Sequence, residues 1–239
     1  MEGKYTGIIL NKIKSAEADR IYTIFTSEEG KIKTLGKGVR RPNSKLAGLL
    51  EPITYAEFFV AKKKGLGKIT SSIPICNFSK LKSDLESLKH IAYVFKALDK
   101  LLPDKEKEEN VFILLLEYLN ALEAIAQDDA KRKKEILTLG ALFKILKDLG
   151  YQIEVGKCMI CERKLTPEQN YFSYSRGGAI CSQCGVKENN KIKIENDSIK
   201  FIRIFFKNNI NNLKKISCSK EIAMNLWLIM DKFLSWIVQ

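Results

Sequence analysis

Apolar positions recur with two different periods along the chain. In the first third they come in short runs rich in Ile, Thr, Tyr and Phe, bounded by Gly, Pro or acidic turns, which is the pattern of half-buried strands. Five strands are predicted: Lys4–Ile13, Arg20–Ser27, Lys31–Gly36, Pro52–Ala61 and Lys68–Ile75. Ser27-Glu28-Glu29-Gly30 reads as a tight hairpin between the second and third, with Gly30 suited to a positive φ. So many short strands in so few residues suit a small closed barrel of the oligonucleotide-binding (OB) type better than an open sheet.

After Asn77 the period becomes helical. Leu81, Leu85, Leu88, Ala92, Phe95, Leu98 and Leu102 fall at steps of three and four, predicting one long amphipathic helix that Pro103 stops. The stretch from Glu109 to Ala126 is apolar on more than one face and is expected to be the central, most buried helix. Leu139, Leu142, Leu146 and Leu149 line a third, ended by Gly150 at a C′ position. A last pair closes the chain, with Trp227, Met230, Leu234 and Ile237 on one stripe, and these helices should bundle. The basic run Lys131 to Lys134 reads as a solvated helix entry rather than a second site.

One segment breaks the helical pattern. Cys158 and Cys161 form one C-x2-C, Cys181 and Cys184 another, and 19 residues separate them, the spacing of a four-cysteine zinc site. Each pair can point two thiolates at one tetrahedral ion, and the Gly-rich Ser175–Ile180 gives the second knuckle room to turn. Four thiolates close the coordination shell, so the expected Zn2+ is structural. A disulfide framework is disfavoured by a cytosolic setting, and a redox C-x-x-C lacks its βαβ context. Cys76 and Cys218 read as buried small hydrophobes. The predicted fold class is therefore α+β. An OB-fold barrel occupies residues 1–78, and an all-α helical domain at 79–239 carries an inserted zinc finger at 155–187.

Charge adds a partner to this picture. The 239-residue chain is 45% hydrophobic, enough to fill real cores, yet holds 41 Lys+Arg against 28 Asp+Glu, a net +13. Lys-rich surfaces also serve solubility alone, but here the field is lopsided: Met1 to Lys80 holds 15 Lys+Arg against 7 Asp+Glu. A polyanion is the leading partner. No charged leader precedes a long apolar run and no 18-residue uncharged stretch occurs, so a cytoplasmic, nucleoid-associated protein without membrane contact is expected.

Enzyme chemistry finds little support. His90 is the only histidine, lies in the first long helix, and has no nucleophile motif near it. Gly36-Lys37-Gly38 lacks the G-K-[ST] order of a phosphate loop, and Arg41 stands where a third dinucleotide-loop glycine would fall. No acidic cluster suggests a two-metal nuclease. No small-molecule substrate is expected. What remains is nucleic-acid backbone. Lys37, Arg40, Arg41 and Lys45 in one loop, joined by Lys62, Lys63, Lys64 and Lys68 between the fourth and fifth strands, can neutralise phosphates. Tyr22, Phe25, Tyr55, Phe58 and Phe59 lie on strands, where those facing outward could stack on bases; which half does so is not legible.

At these residues the sequence resembles the bacterial RecO recombination mediators. The likeness runs through "GIILNKIKSAEADRIYTIFTSEEGKIKTLGKGVRRPNSKLAGLLEP" in the first domain and "CMICERKL" and "YFSYSRGGAICSQC" in the finger, and covers almost the whole chain. It departs at Gly38-Val39, where the family pattern has Gly-Ala. The resemblance implies an OB-fold, a helical domain and a zinc finger. It also implies a non-enzymatic role in recombinational repair: binding single- and double-stranded DNA, annealing strands, and helping RecR load RecA onto DNA coated by single-strand-binding protein. The acidic C-terminal tail of that protein docks on the family's helical domain. Lys37, Arg40, Arg41 and Lys45 match the family's DNA-binding motif by position. Some members lack the cysteines, which implies a scaffold role for the metal. A zinc-ribbon RNA-binding factor of translation or rRNA maturation is the alternative that barrel, finger and charge would also serve.

Overall fold

A computed structural model describes residues 2–62, 65–128, 131–151 and 153–238. Its first five strands are β1 (Glu2–Lys14), β2 (Arg20–Thr26), β3 (Gly30–Gly36), β4 (Tyr55–Ala61) and β5 (Gly67–Cys76). They close in the order β1-β2-β3-β5-β4, with β4 returning antiparallel to β1, and this is the OB arrangement. The seam that closes it is short: β3 and β5 run parallel only through Thr34–Gly67 and Leu35–Lys68. Inward-facing Ile9, Ile24, Ile32, Phe58, Val60 and Ile69 fill the barrel. At the β2–β3 turn Gly30 adopts φ 66, as expected, and a Cβ there would lie 1.8 Å from the Glu106 carbonyl oxygen. β4 starts at Tyr55 rather than Pro52, because Ile53 turns to φ 70 and donates its N–H to the Ile9 carbonyl at 3.0 Å.

Two compact units divide the chain, 1–113 and 114–239. In the first, the single long helix expected after Asn77 is two: α1 (Ser79–Ser83) and α2 (Leu85–Leu101). Asp84 between them is extended, φ −107, and its carboxylate accepts the Ser87 N–H at 2.9 Å, so it caps a new helix and resets the phase. The buried face of α2 therefore runs through Ile91, Val94, Phe95 and Leu98, while Leu85, placed on the predicted stripe, is 68% exposed. His90 lies on the buried side.

In the second unit the central helix is α4 (Lys131–Asp148), not α3 (Glu109–Glu123). From Lys134 to Leu146 every α4 residue except Lys144 is buried, whereas α3 leaves Ile113 half-exposed. The cause lies later in the chain, where α6 (Asn196–Lys207), α7 (Ile210–Leu213) and α8 (Lys220–Ile237) all pack on α4. Gly140 permits the closest approach; a Cβ there would stand 2.3 Å from Leu213 Cδ1. The "solvated" basic entry needs the same correction. Lys134 is buried and its Nζ donates to the Ala126 carbonyl at 2.6 Å, closing the turn after α3. Gly150 ends α4 as expected, with Tyr151 N–H donating to the Leu146 carbonyl at 2.8 Å. On α8, Met230 and Leu234 are buried while Trp227 and Ile237 are half-buried.

Between α4 and α6 lies a four-cysteine segment with a small sheet that the pattern did not predict. β6 (Asn170–Ser173), β7 (Gly178–Ile180) and β8 (Lys191–Ile194) pair in the order β7-β6-β8, with α5 (Ser182–Gly185) after β7. Phe172 of β6 sets its ring edge-on to Phe233 of α8 at 5.7 Å, which seats the sheet on the bundle. No helix among the described residues is long and apolar enough to cross a membrane.

Candidate nucleic-acid interface and candidate metal centre

Strands 2 and 3 ordinarily offer the nucleic-acid face of an OB barrel. Here much of it is covered within the same unit. Phe25 is fully buried, with the Phe112 ring edge-on at 5.4 Å, and Lys31 is only 6% exposed. Lys31 Nζ lies between Asp99 at 3.6 Å and Asp104 at 3.4 Å, and its carbonyl accepts the Lys105 N–H at 2.8 Å.

The β3–β4 loop is the open cationic surface. Its backbone folds as consecutive turns: Arg41 N–H donates to the Gly38 carbonyl at 3.1 Å, Ser44 to Arg41 at 3.0 Å and Ala47 to Ser44 at 3.2 Å. Gly38 takes φ 69, a conformation that favours glycine. Val39 and Leu50 are buried in the barrel core and Leu46 packs against them, so three apolar side chains pin the loop. Lys37, Arg40, Arg41 and Lys45 all stay exposed on it. The β1–β2 turn holds its start: Asp19 Oδ1 accepts the Gly38 N–H at 2.7 Å, the Ala18 carbonyl accepts the Arg40 N–H at 3.0 Å, and Arg40 Nη1 donates to the Glu17 carbonyl at 2.7 Å.

The other predicted cations differ in their surroundings. Lys68 is exposed on β5, in register with Leu35, two residues before Lys37. Lys62 pairs with Glu29 at 2.8 Å and sits over the Tyr5 ring at 4.9 Å; the Glu29 carboxylate raises its pKa. Lys63 and Lys64 lie outside the described residues. Among the aromatics, Tyr22, Phe25 and Phe58 are fully buried and Tyr55 packs on Phe112 at 6.3 Å. Phe59 is half-buried beside Lys4 on the outer face, the aromatic best placed to meet a base.

In the second unit Cys158, Cys161, Cys181 and Cys184 converge. Their Sγ atoms all lie within 4.8 Å of one another, and Cys161 and Cys181 are 3.9 Å apart. A tetrahedral ion with Zn–S of about 2.3 Å sets its thiolates about 3.8 Å apart, so the donor set fits. Each knuckle is shaped by its backbone. Cys158 N–H donates to the Arg163 carbonyl and Glu162 N–H to the Cys158 carbonyl, both at 2.9 Å, with Glu162 at φ 58. Cys158 Sγ accepts N–H bonds from Ile160 at 3.5 Å and Cys181 at 3.4 Å. Arg163 joins the knuckles: Nε donates to Cys161 Sγ at 3.4 Å and Nη2 to Gln183 Oε1 at 2.7 Å. That guanidinium holds the Cys161 thiol down at about 6, while burial and the neighbouring thiols push Cys184 up to about 12. Sequence reasoning found all four cysteines but neither Arg163 nor the Glu17–Asp19 turn. The turn acts on residues about twenty positions away, and Arg163 joins near Cys161 to distant Gln183, so no spacing rule marks either.

An OB barrel bearing a pinned, exposed cationic loop, followed by a helical unit with a four-cysteine cluster, defines a two-part protein with a cationic surface and a possible metal site. Two family models match the chain: recombination protein O, N terminal, over residues 1–78, and recombination protein O, C terminal, over residues 82–239. Proteins named DNA repair protein RecO are similar over nearly their whole length. That of Caldicellulosiruptor bescii is 30% identical over 238 residues, 99% of this chain and 93% of the relative. That of Dehalococcoides mccartyi is 30% identical over 236 residues (99% and 90%), and that of Bacillus subtilis 27% over 230 residues (96% and 87%). The chain belongs to the RecO family.

Proposed function

We propose that this protein is a non-enzymatic recombination mediator that binds single- and double-stranded DNA and anneals complementary strands. It assists RecR in loading RecA onto strands coated by single-strand-binding protein, whose C-terminal tail docks on the helical domain. It acts in the cytoplasm, at the nucleoid. The observation that carries the reading is the exposed loop. Lys37, Arg41 and Lys45, with Lys68 on the neighbouring strand, have no side-chain partner among the described residues, while the usual OB face is largely covered. Arg40 and Lys62 join them, and Lys63 and Lys64, which follow Lys62 in the sequence, belong to the same proposed set.

The mechanism is electrostatic. Cations on a fixed loop replace condensed counterions along the phosphate backbone, so affinity falls steeply with salt and depends little on sequence. Holding two strands on one basic surface screens their mutual repulsion and raises their local concentration, and complementary segments pair with no bond made or broken by the protein. Cys158, Cys161, Cys181 and Cys184 would hold a structural Zn2+ that fixes the two knuckles; a closed four-thiolate shell leaves no position for substrate.

Salt-titrated binding and annealing, with and without single-strand-binding protein, test the reading. Arg41→Ala and Lys45→Ala should each weaken binding about equally for unrelated sequences and flatten the salt slope by roughly 0.7 on single strands. An unchanged slope in both variants, or a strong preference for structured RNA, would sink it.

A further inference from the structure

We infer that Asp19 is a positioning residue for the cationic loop, an acid that strengthens binding to a polyanion. The inference rests on the DNA-binding reading above. Asp19 is half-buried in the β1–β2 turn, which its own carbonyl closes by accepting the Ser15 N–H at 3.2 Å. Its Oδ1 accepts the Gly38 N–H at 2.7 Å, a charge-assisted bond to the residue where the loop reverses at φ 69. Two residues on, the same turn holds Arg40 twice, by its backbone N–H to Ala18 and by its guanidinium to Glu17. The turn therefore grips the loop at 38 and 40, and Val39 between them is buried in the barrel. Lys37 and Arg41 flank this gripped triplet and point their charges out from a backbone that is already ordered.

Charge alone argues the opposite sign. Asp19 sits beside Lys37, Arg40 and Arg41, and its removal would raise the net charge from +13 to +14 and with it the attraction for phosphate. The positioning argument says that a released loop must be ordered again each time it binds, and that this cost exceeds the gain of one unit of charge. The two arguments predict changes in opposite directions.

Binding of mixed-sequence single-stranded DNA, followed by fluorescence anisotropy over a salt series, separates them. Asp19→Ala should weaken binding about fivefold. Asp19→Asn keeps an oxygen for the Gly38 N–H and loses the charge, and should bind at least as tightly as the wild type. Neither variant should change the salt slope, since no cation is lost. Without DNA, trypsin should cleave after Lys37 and Arg40 faster in Asp19→Ala than in Asp19→Asn or the wild type. Should the alanine variant fail to fold, hydrogen exchange on the wild type decides: slow exchange at Gly38 and Arg40 supports the grip, and exchange at random-coil rates overturns it. Asp19→Ala binding as tightly as the wild type, or Asp19→Asn losing as much as Asp19→Ala, also overturns it. If instead Arg41→Ala and Lys45→Ala leave binding and slope unchanged, the DNA-binding reading fails, while the trypsin comparison still reports on the grip.

Discussion

Two segments of this protein are long and irregular, and they are held in opposite ways. The β3–β4 loop sends Val39, Leu46 and Leu50 into a barrel core built mainly by the strands, and leaves its cations on the outside. The four-cysteine segment does the reverse. Its functional atoms, the Sγ of Cys158, Cys161, Cys181 and Cys184, point inward at one another, while apolar Ile160 and Val186 are 41% and 81% exposed. The small sheet buries Phe172, Ala179 and Ile180, but the knuckles leave Ile160 and Val186 in solvent and have little hydrophobic burial of their own to offset conformational entropy. The loop borrows its order from the fold; we propose that a bound metal serves the finger for the same purpose.

The largest expected effect comes from that contrast. Removing metal with a chelator, or replacing fully buried Cys158 by Ser, should unfold the finger and lower the thermal midpoint of the second unit. Metal binding contributes about 10–16 kcal/mol, apparent, in small zinc-finger peptides. Metal content, circular dichroism and calorimetry on the full chain measure it. The barrel's transition should stay in place and the DNA salt slope should not change. A second unit that melts identically with and without metal would break the comparison.

A middle-sized effect is expected at the loop's pin. Leu50 is fully buried, and Leu50→Ala should destabilise the first unit by about 3 kcal/mol through lost burial and a residual cavity. It should also weaken DNA binding without altering the salt slope, because every cation remains. Chelator should leave this variant's barrel transition unmoved. Loss of slope in Leu50→Ala would mean that the cations are arranged by something other than the core.

How far the sequence foretells these two segments depends on the range of the forces involved. Strand runs, the Gly30 hairpin and the two C-x2-C pairs are local patterns, and they led to the closed barrel and the converging thiols. The break at Asp84 is local too, but a capping carboxylate competes with an uninterrupted leucine stripe, and the stripe dominated the reading. The rank of α4 over α3 turns on α6, α7 and α8 arriving from later in the chain and packing closely at Gly140, which no local pattern marks. Lys134 shows the same limit: in a run of four basic residues nothing marks the one whose ammonium closes the turn after α3. For the proposed DNA-binding surface, cations can be counted from the sequence, but whether each is free or engaged cannot. Lys62 and Arg41 look alike until Glu29 and Tyr5 are found beside the first.

That pair gives the smallest effect and extends the comparison to a third kind of restraint. The start of the β4–β5 loop is held neither by core side chains nor by thiols but by a surface ion pair, Lys62 with Glu29, whose carboxylate is 38% exposed. Lys62 lowers the Glu29 pKa, Tyr5 adds a hydroxyl bond at 3.0 Å in the same direction, and partial burial opposes them. A carboxylate with a depressed folded pKa adds stability that is fully present above its unfolded value of about 4.5 and is lost as pH falls through the folded value. Exposed pairs of this kind contribute at most about 1 kcal/mol, and less in salt. The difference in thermal midpoint between the wild type and Glu29→Gln should therefore be constant from neutral pH to about 5.5 and shrink below about 4.5 as Glu29 protonates. It should also shrink on adding salt at neutral pH, which a core contact such as Leu50 would not do. A difference that survives to pH of about 3 would assign the restraint to packing against Tyr5 instead of the charge on Glu29.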